Sequence, residues 1–428
     1  MDHFKQALAL MREEKLYSAM YIAGTALAIA FTMLIAEVYY VKVADIAPEV
    51  RRSSTYYLDY MPLKNDTTRS KTIEHETFTS LFQTMKTPDC ITGVTVSVID
   101  DKNYMKLADG LHDRLVNVIQ TEPGFFQFYQ YRFVQGKPFT QDDFDNERPT
   151  VVITEQISDL LFGKGKEAIG QTVRINNLDY HVCGVVETPS ALMEKSVADI
   201  WCPYSAKGIN ASWGVSWRDL NIEVAFSVPA SKRDAFMQEI KEIEARYNSV
   251  HKDEPVKMAQ MVRSHYSKVW DDLGGIFSAR GKNLTWYVAP AILLLLLVPA
   301  LNMSGMVASR MERRLPEMAI RKAFGAKRRT LIGQVITENF VLTLFGGVIG
   351  LCLAWTALYA WRDWVFYVFS DSSKLYGSVP IVKGEMIFGP AIFLIALLVG
   401  FVLNVLAAAL PAWISLRKPI VESMMIKK

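Results

Sequence analysis

At 428 residues, half of them hydrophobic, with a mean hydropathy of +0.13, the chain is too apolar for an ordinary soluble enzyme, yet only part of it can lie in a membrane. Its net charge of +3 hides a split, because residues 42–285 carry 29 Lys and Arg against 33 Asp and Glu, a net of −4. Such a near-neutral surface argues against a nucleic-acid partner.

Uncharged runs set the architecture in chain order. Residues 1–17 are expected to form a cytoplasmic amphipathic helix. Between Lys15 and Glu37 lie 21 residues without charge, between Lys282 and Arg310 lie 27, between Glu338 and Arg362 lie 23, and between Glu385 and Arg417 lie 31. A bilayer core needs about 20 apolar residues per helix, so all of these qualify. The spacing predicts spans at 18–41, 286–308, 339–361 and 390–413. The first is too long for a removed signal peptide and lacks a small-residue cleavage pattern. Glu37 lies near its outer end, where it can reach the interface. Residues 42–285 are enough to bury a core of their own, residues 362–389 form a short loop, and 414–428 a tail. The expected fold class is therefore an α-helical membrane protein with four transmembrane helices and a large α+β extracytoplasmic domain between helices 1 and 2.

Orientation follows from the basic residues. The segment 309–338 carries Arg310, Arg313, Arg314, Arg321, Lys322, Lys327, Arg328 and Arg329, whereas the loop 362–389 carries Arg362, at its very start, Lys374 and Lys383. Basic short loops stay in the cytoplasm, which places both termini inside and residues 42–285 outside.

Within the outer segment, "PTVVIT" predicts a strand. In "TEQISDLLFG" Thr154 is the expected N-cap of a helix that closes at Gly163. "QTVRINNLDYHVCGVVE" alternates around Asn176-Asn177 as a hairpin does. "IEVAFSV" predicts a strand that leads into "SKRDAFMQEIKEIEARY", where Ser231 and Asp234 form a capping-box pattern and Phe236, Ile240, Ile243 and Tyr247 share one helix face.

The outer segment offers no catalytic constellation. His75, His112, His181, His251 and His265 are scattered with no HExxH, so no metal site is expected. Cys90, Cys183 and Cys202 have no framework spacing, and buried small hydrophobes are the favoured reading over a disulfide. There is no GxSxG nucleophile elbow. "GKGKEA" and "ARGKNL" hold a GK pair without the upstream glycine spacing or the Ser/Thr of a P-loop. A catalytic role and bound cofactors are therefore not expected of this chain.

The basic stretch "PEMAIRKAFGAKRRTLIGQ" reads as a short helix between two spans. Pro316 suits its first position, Glu317 its positive end and Gly325 a left-handed exit. On the residues alone this is either an interfacial helix that holds anionic lipid head groups or a docking element. Gly346 and Gly350 form a GxxxG pattern in the third span, with Gly24 and Ala28 similar in the first, which suits close helix packing within the chain or across a dimer.

The longer stretch "RRLPEMAIRKAFGAKRRTLIGQVITENFVLTLFGGVIG" resembles the signature of the FtsX-like permease domain of the MacB-type, or type VII, ABC transporter family. Gln135 to Glu187 is similar to that family's periplasmic core domain, and "LPAWISLRKPIVESMM" to its closing pattern. The resemblance implies a permease subunit without a fused ATPase, of the mechanotransmission type, in the bacterial inner membrane. It makes 309–338 a coupling helix and stalk, with Glu317, Ile320, Arg321, Lys322, Ala323, Gly325 and Ala326 as the residues that engage a separate ABC ATPase. That ATPase would bind ATP and Mg. A second permease copy or paralogue, a periplasmic adaptor or an outer-membrane channel, and membrane lipid are the other implied partners. The implied function is export or release of a drug, peptide or lipoprotein. The alternative is a signalling complex that activates a cell-wall hydrolase or a sensor kinase.

Overall fold

The computed structural model describes most of residues 11–58, 61–62, 70–71, 90–206, 221–250, 257–269 and 305–369, with a few residues in 394–402. These belong to two compact units, one of residues 1–40, 274–365 and 384–428, the other of residues 41–273 and 366–383. The expected spans 286–308 and 390–413 lie largely outside the described residues.

The first long helix, α1, runs Lys15–Val43. Within its 29 residues an 18-residue stretch reaches a mean hydropathy of 2.0, and at 1.5 Å per residue the helix spans about 43 Å, more than a bilayer core. Contrary to expectation, Glu37 is fully buried.

The outer unit is α+β. A 3-10 turn at Arg52–Ser54 leads into β1 (Thr55–Leu58), followed by the short pair β2 (Met61–Pro62) and β3 (Ser70–Lys71). Next come β4 (Gly93–Lys106), β5 (Asp113–Thr121), α2 (Phe125–Phe128), β6 (Phe133–Gly136), α3 (Gln141–Asp145), β7 (Thr150–Thr154) and α4 (Glu155–Phe162). The unit continues with β8 (Thr172–Ile175), β9 (Leu178–Val186), β10 (Ile200–Pro203), β11 (Asn221–Ser227), α5 (Arg233–Val250) and β12 (Arg263–Ser264). The main sheet has ten strands in the order β12-β1-β11-β4-β5-β10-β7-β9-β6, with β8 bridging β4 and β9.

The length of β4 explains this topology. Its first half pairs with β11 from Gly93↔Ser227 to Ile99↔Asn221. A bulge between Asp100 and Asn103 then bends the strand, and its far end reaches β8 at Met105↔Ile175. The strands β4, β5, β10, β7, β9 and β8 thus close on themselves. Alternation decides what faces inward. Val151 and Ile153 of β7 and Ile200 and Cys202 of β10 join the core enclosed by this ring. Val152 and Trp201 point the other way, into an aromatic cluster with Phe125, Phe126 and Phe139. On the β1-β11-β4 wing, Phe236, Ile240 and Ile243 of α5 cover Leu58, Val96, Val224 and Phe226.

Local signals hold where the backbone alone decides. The Ile157 N–H donates to Thr154 Oγ1 at 3.3 Å, and Gly163 leaves α4 at φ 96°. Asn176 and Asn177 take φ of 48° and 67° between β8 and β9, as a two-residue hairpin turn requires. Ser231, by contrast, lies within a 3-10 turn, Ala230–Lys232, that precedes α5, and does not form the expected capping box. A complete capping box appears instead at Thr140 and Asp143 of α3. Cys90, Cys183 and Cys202 are free thiols. Burial pushes the Cys183 thiol up to about 12, which keeps it protonated and unreactive.

The last long helix, α6, spans Arg328–Phe369 and breaks at Trp361, where φ is −122° and ψ 18°. Its membrane-length stretch is Gly333–Trp361, within which an 18-residue window reaches a mean hydropathy of 2.1. The helix starts well before the predicted span because the apolar periodicity continues into the basic segment, at Leu331 and Val335.

Candidate functional site

The basic stretch folds as one leg of a helical hairpin. Met311 and Arg314 are already helical, so Pro316 lies inside the helix and does not start it. Helical residues continue through Arg321 to Ala323. Gly325 then takes φ +90°, and the Ala326 N–H donates back to the Arg321 carbonyl at 3.0 Å. This is the Schellman end that only a residue at ease with positive φ makes cheaply. The second leg is the start of α6. Met311 and Met318 pack on Leu331, Val335 and Leu342, together with Tyr21 of α1.

A closed polar ring joins the two legs. Arg314 Nη1 donates to Glu338 Oε2 at 2.6 Å, and Arg314 Nε lies 3.6 Å from Glu317 Oε2. Glu317 Oε1 accepts from Arg321 Nη2 at 2.5 Å. Arg321 Nη1 donates to Gln334 Oε1 at 2.9 Å, and Gln334 Nε2 donates to Glu338 Oε1 at 3.1 Å. Four of these links are hydrogen bonds and the Arg314–Glu317 contact is an ion pair, and a partly buried network of this kind adds rigidity. Burial opposes the charge on Arg314, yet Glu338 beside it holds the guanidinium above its ordinary value.

The structure therefore divides the predicted coupling residues. Glu317 and Arg321 face each other and the base of α6. Ala326 packs against the apolar cluster between the legs. Ile320 is 48% exposed, Ala323 is exposed, and Phe324 at the tip is 88% exposed. Gly325 makes the turn. Lys322 lies outside the described residues. Gln334 and Glu338 escaped the sequence reading, although their i, i+4 spacing in an apolar stretch was a visible signal.

The helix-packing glycines divide too. A Cβ at Gly346 would lie 2.7 Å from Thr25 Cβ, and one at Gly350 would lie 2.5 Å from the Ala26 carbonyl oxygen. Both glycines thus face α1 of the same chain. A Cβ at Gly24 would have nothing within 4 Å, and the α1 surface that meets Gly346 and Gly350 is Ile22, Thr25 and Ala26. Gly350→Leu should force the helices apart at a backbone contact, costing about 1–3 kcal/mol. A fall in the thermal unfolding midpoint of the detergent-solubilised chain, with no matching fall for Gly24→Leu, is the expected measurement.

Residues 18–243 match the family model of the MacB-like periplasmic core domain, and residues 290–420 match that of the FtsX-like permease C-terminal. The macrolide export ATP-binding/permease protein MacB 1 of Yersinia pestis bv. Antiqua (strain Antiqua) is 22% identical over 360 residues, 82% of this chain and 52% of that protein. The uncharacterized ABC transporter permease YvrN of Bacillus subtilis (strain 168) is 24% identical over 287 residues, 65% of either chain. The chain thus spans about half the length of the MacB relative. The crystal structure of the periplasmic region of MacB from Actinobacillus actinomycetemcomitans aligns with 54% of this chain and 95% of that one, at 16% identity and a TM-score of 0.38. The first family model alone covers more than half of the sequence and the second covers the helical hairpin and α6, so the chain belongs to the MacB/FtsX-like family of ABC transporter permeases, membrane proteins with a periplasmic domain.

Proposed function

We propose that this permease carries ATP-driven movement across the inner membrane to its periplasmic domain and so drives export or release of a substrate. The observation that carries the reading is the polar ring. It fastens the helical hairpin to the base of α6, and α6 then continues unbroken to Trp361 through its membrane-length stretch. A displacement of the hairpin tip is resisted at several bonds at once, so it moves α6 and is not absorbed in the loop.

The motor in this reading is a separate ABC ATPase; ATP and Mg bind there, and the permease chain does no catalysis of its own. Four spans with both termini in the cytoplasm put the hairpin on the ATPase side, as the basic residues require. A second permease copy or a paralogue completes the pair that two ATPase subunits need. The similarity to MacB 1, a macrolide export protein, favours efflux over signalling.

Phe324 and Ile320 are the apolar groups left for the ATPase to cover. Burying such a side chain contributes about 1.5–3 kcal/mol, so Phe324→Asp should weaken ATPase association by at least about tenfold. The check is co-purification of the cognate ATPase and its stimulated hydrolysis, after normal membrane insertion is confirmed. The purified chain alone should hydrolyse no ATP. Wild-type association of Phe324→Asp would make the hairpin tip a lipid contact.

A further inference from the structure

The outer end of α1 is gripped by a buried cluster that the coupling reading does not use. Arg52 Nη1 donates to the carbonyl oxygens of Val41 at 2.6 Å and Ala44 at 3.2 Å, while its Nη2 reaches the Leu192 carbonyl at 3.4 Å. His265, the first residue of the helical turn 265–269, donates from Nε2 to the Lys42 carbonyl at 2.8 Å. The last carbonyls of a helix have no partner within it, and a cation there complements the negative end of the helix dipole. Two side chains far apart in sequence thus hold the Val41, Lys42 and Ala44 carbonyls at and just past the end of one helix. One follows α1, and the other precedes the segment that leads to the second predicted span.

The neutral imidazole satisfies both of its neighbours in this arrangement. Nε2 must carry the proton because a carbonyl oxygen faces it, so in the neutral ring Nδ1 is bare and accepts from the Tyr57 hydroxyl at 3.2 Å. A second proton would turn Nδ1 into a donor, so the Tyr57 hydroxyl would have to turn its own proton away and accept. The second proton would also add charge to a cluster already rich in cations. Lys42 pairs with Glu194 at 3.2 Å and Arg52 with Glu49 at 2.7 Å, while Lys195 and Lys268 share Glu223. Both of these lysine ammoniums also lie over the Tyr57 ring, at 5.4 Å and 5.1 Å from its centroid. Each cation already has its carboxylate, so the cleft is not a vacant anion site. A protonated His265 would raise four cations against three carboxylates to five.

We propose that His265 is a proton-sensitive latch on the periplasmic domain: neutral, it ties the outer end of α1 to β1 and to the turn 265–269, and protonated, it releases them. Burial holds the imidazole below its ordinary value of 6.5, with Glu49 pulling the other way and Arg52 and Lys195 adding to the depression. The folded state then binds this proton less well than the unfolded chain. The latch is therefore complete above about 6.5 and is lost as the pH falls below it. Glu49 is held below the ordinary carboxylate value by Arg52 despite its burial, so its own acid loss belongs to a lower pH window. The periplasm follows the external medium, so the latch lies on the side of the membrane where acid arrives.

Hydrogen exchange on the full chain in lipid nanodiscs, corrected for intrinsic exchange rates, tests this at about pH 7.5 and about pH 5.5. The backbone of residues 41–54 and 263–269 should lose up to about tenfold in protection on acidification, while the β7–β9 core stays unchanged. His265→Gln keeps a side-chain N–H for the Lys42 carbonyl but cannot titrate over this range, and it should abolish the pH response. Tyr57→Phe removes the hydroxyl that donates to Nδ1, so it should move the midpoint of the response to higher pH. Equal protection of the wild type at the two pH values overturns the latch, as does an unchanged response in His265→Gln. Should that variant fail to fold, an unmoved midpoint in Tyr57→Phe overturns it on its own.

Discussion

Glu338→Leu should destabilise the chain by about 3–5 kcal/mol, because it leaves the Arg314 guanidinium in a buried site without its counter-charge. Glu338 is only 3% exposed and accepts from both Arg314 and Gln334, so one substitution opens the ring at two points. The double variant Arg314→Met with Glu338→Leu removes both charges and should recover most of the loss, since an apolar pair of similar volume avoids the desolvation cost. Thermal and denaturant unfolding of the detergent-solubilised protein measures the stability. The function should part from it. The double variant folds yet has no rigid link between the legs, so it should still bind its ATPase through Phe324 but couple hydrolysis to outer-domain movement poorly. A double variant that couples as the wild type does would remove the ring from the mechanism.

Arg52→Met should cost a similar 3–5 kcal/mol, for a different combination of reasons. Glu49 loses its ion partner at a site where both side chains are 1% exposed, and the carbonyls of Val41, Ala44 and Leu192 lose their donor. Glu49 keeps the Ser196 hydroxyl at 2.8 Å and the Lys195 N–H at 3.2 Å, which is too little to stabilise a buried carboxylate. It should therefore take up a proton at a higher pH than in the wild type. Arg52→Lys should fall between, because one ammonium cannot reproduce a planar fork aimed at several acceptors. The observable is the unfolding midpoint as a function of pH. The wild type owes part of its stability to an ionised Glu49 and should lose it as the pH falls through the carboxylate range, whereas Arg52→Met should lack that dependence.

The sequence by itself determined whatever depends on near neighbours or on composition. Length and uncharged runs were enough for α1 and the membrane-length part of α6, since a bilayer span is a matter of about 20 consecutive residues. Thr154, Gly163, Asn176-Asn177 and Gly325 marked their turns because positive φ and cap geometry are local demands. The order of motifs along 135–187 and 316–326 was enough to indicate the family. Tertiary structure decided everything that pairs residues distant in sequence. Nothing local told that Pro316 would be carried inside a helix, that Ser231 would yield its cap to a 3-10 turn, or that α6 would meet α1 at Thr25 and Ala26 and not at Gly24. The bulge that bends β4 onto β8 closes a ring of strands whose pairing has no signature in β4 alone. Arg321, predicted to face a partner, faces Gln334, and Arg52 and His265, unremarkable in the sequence, become the grip on α1. The physical reason is common to these cases: a charge or a glycine acquires its role from the field and the space around it, and those exist only after segments up to 322 residues apart have packed together.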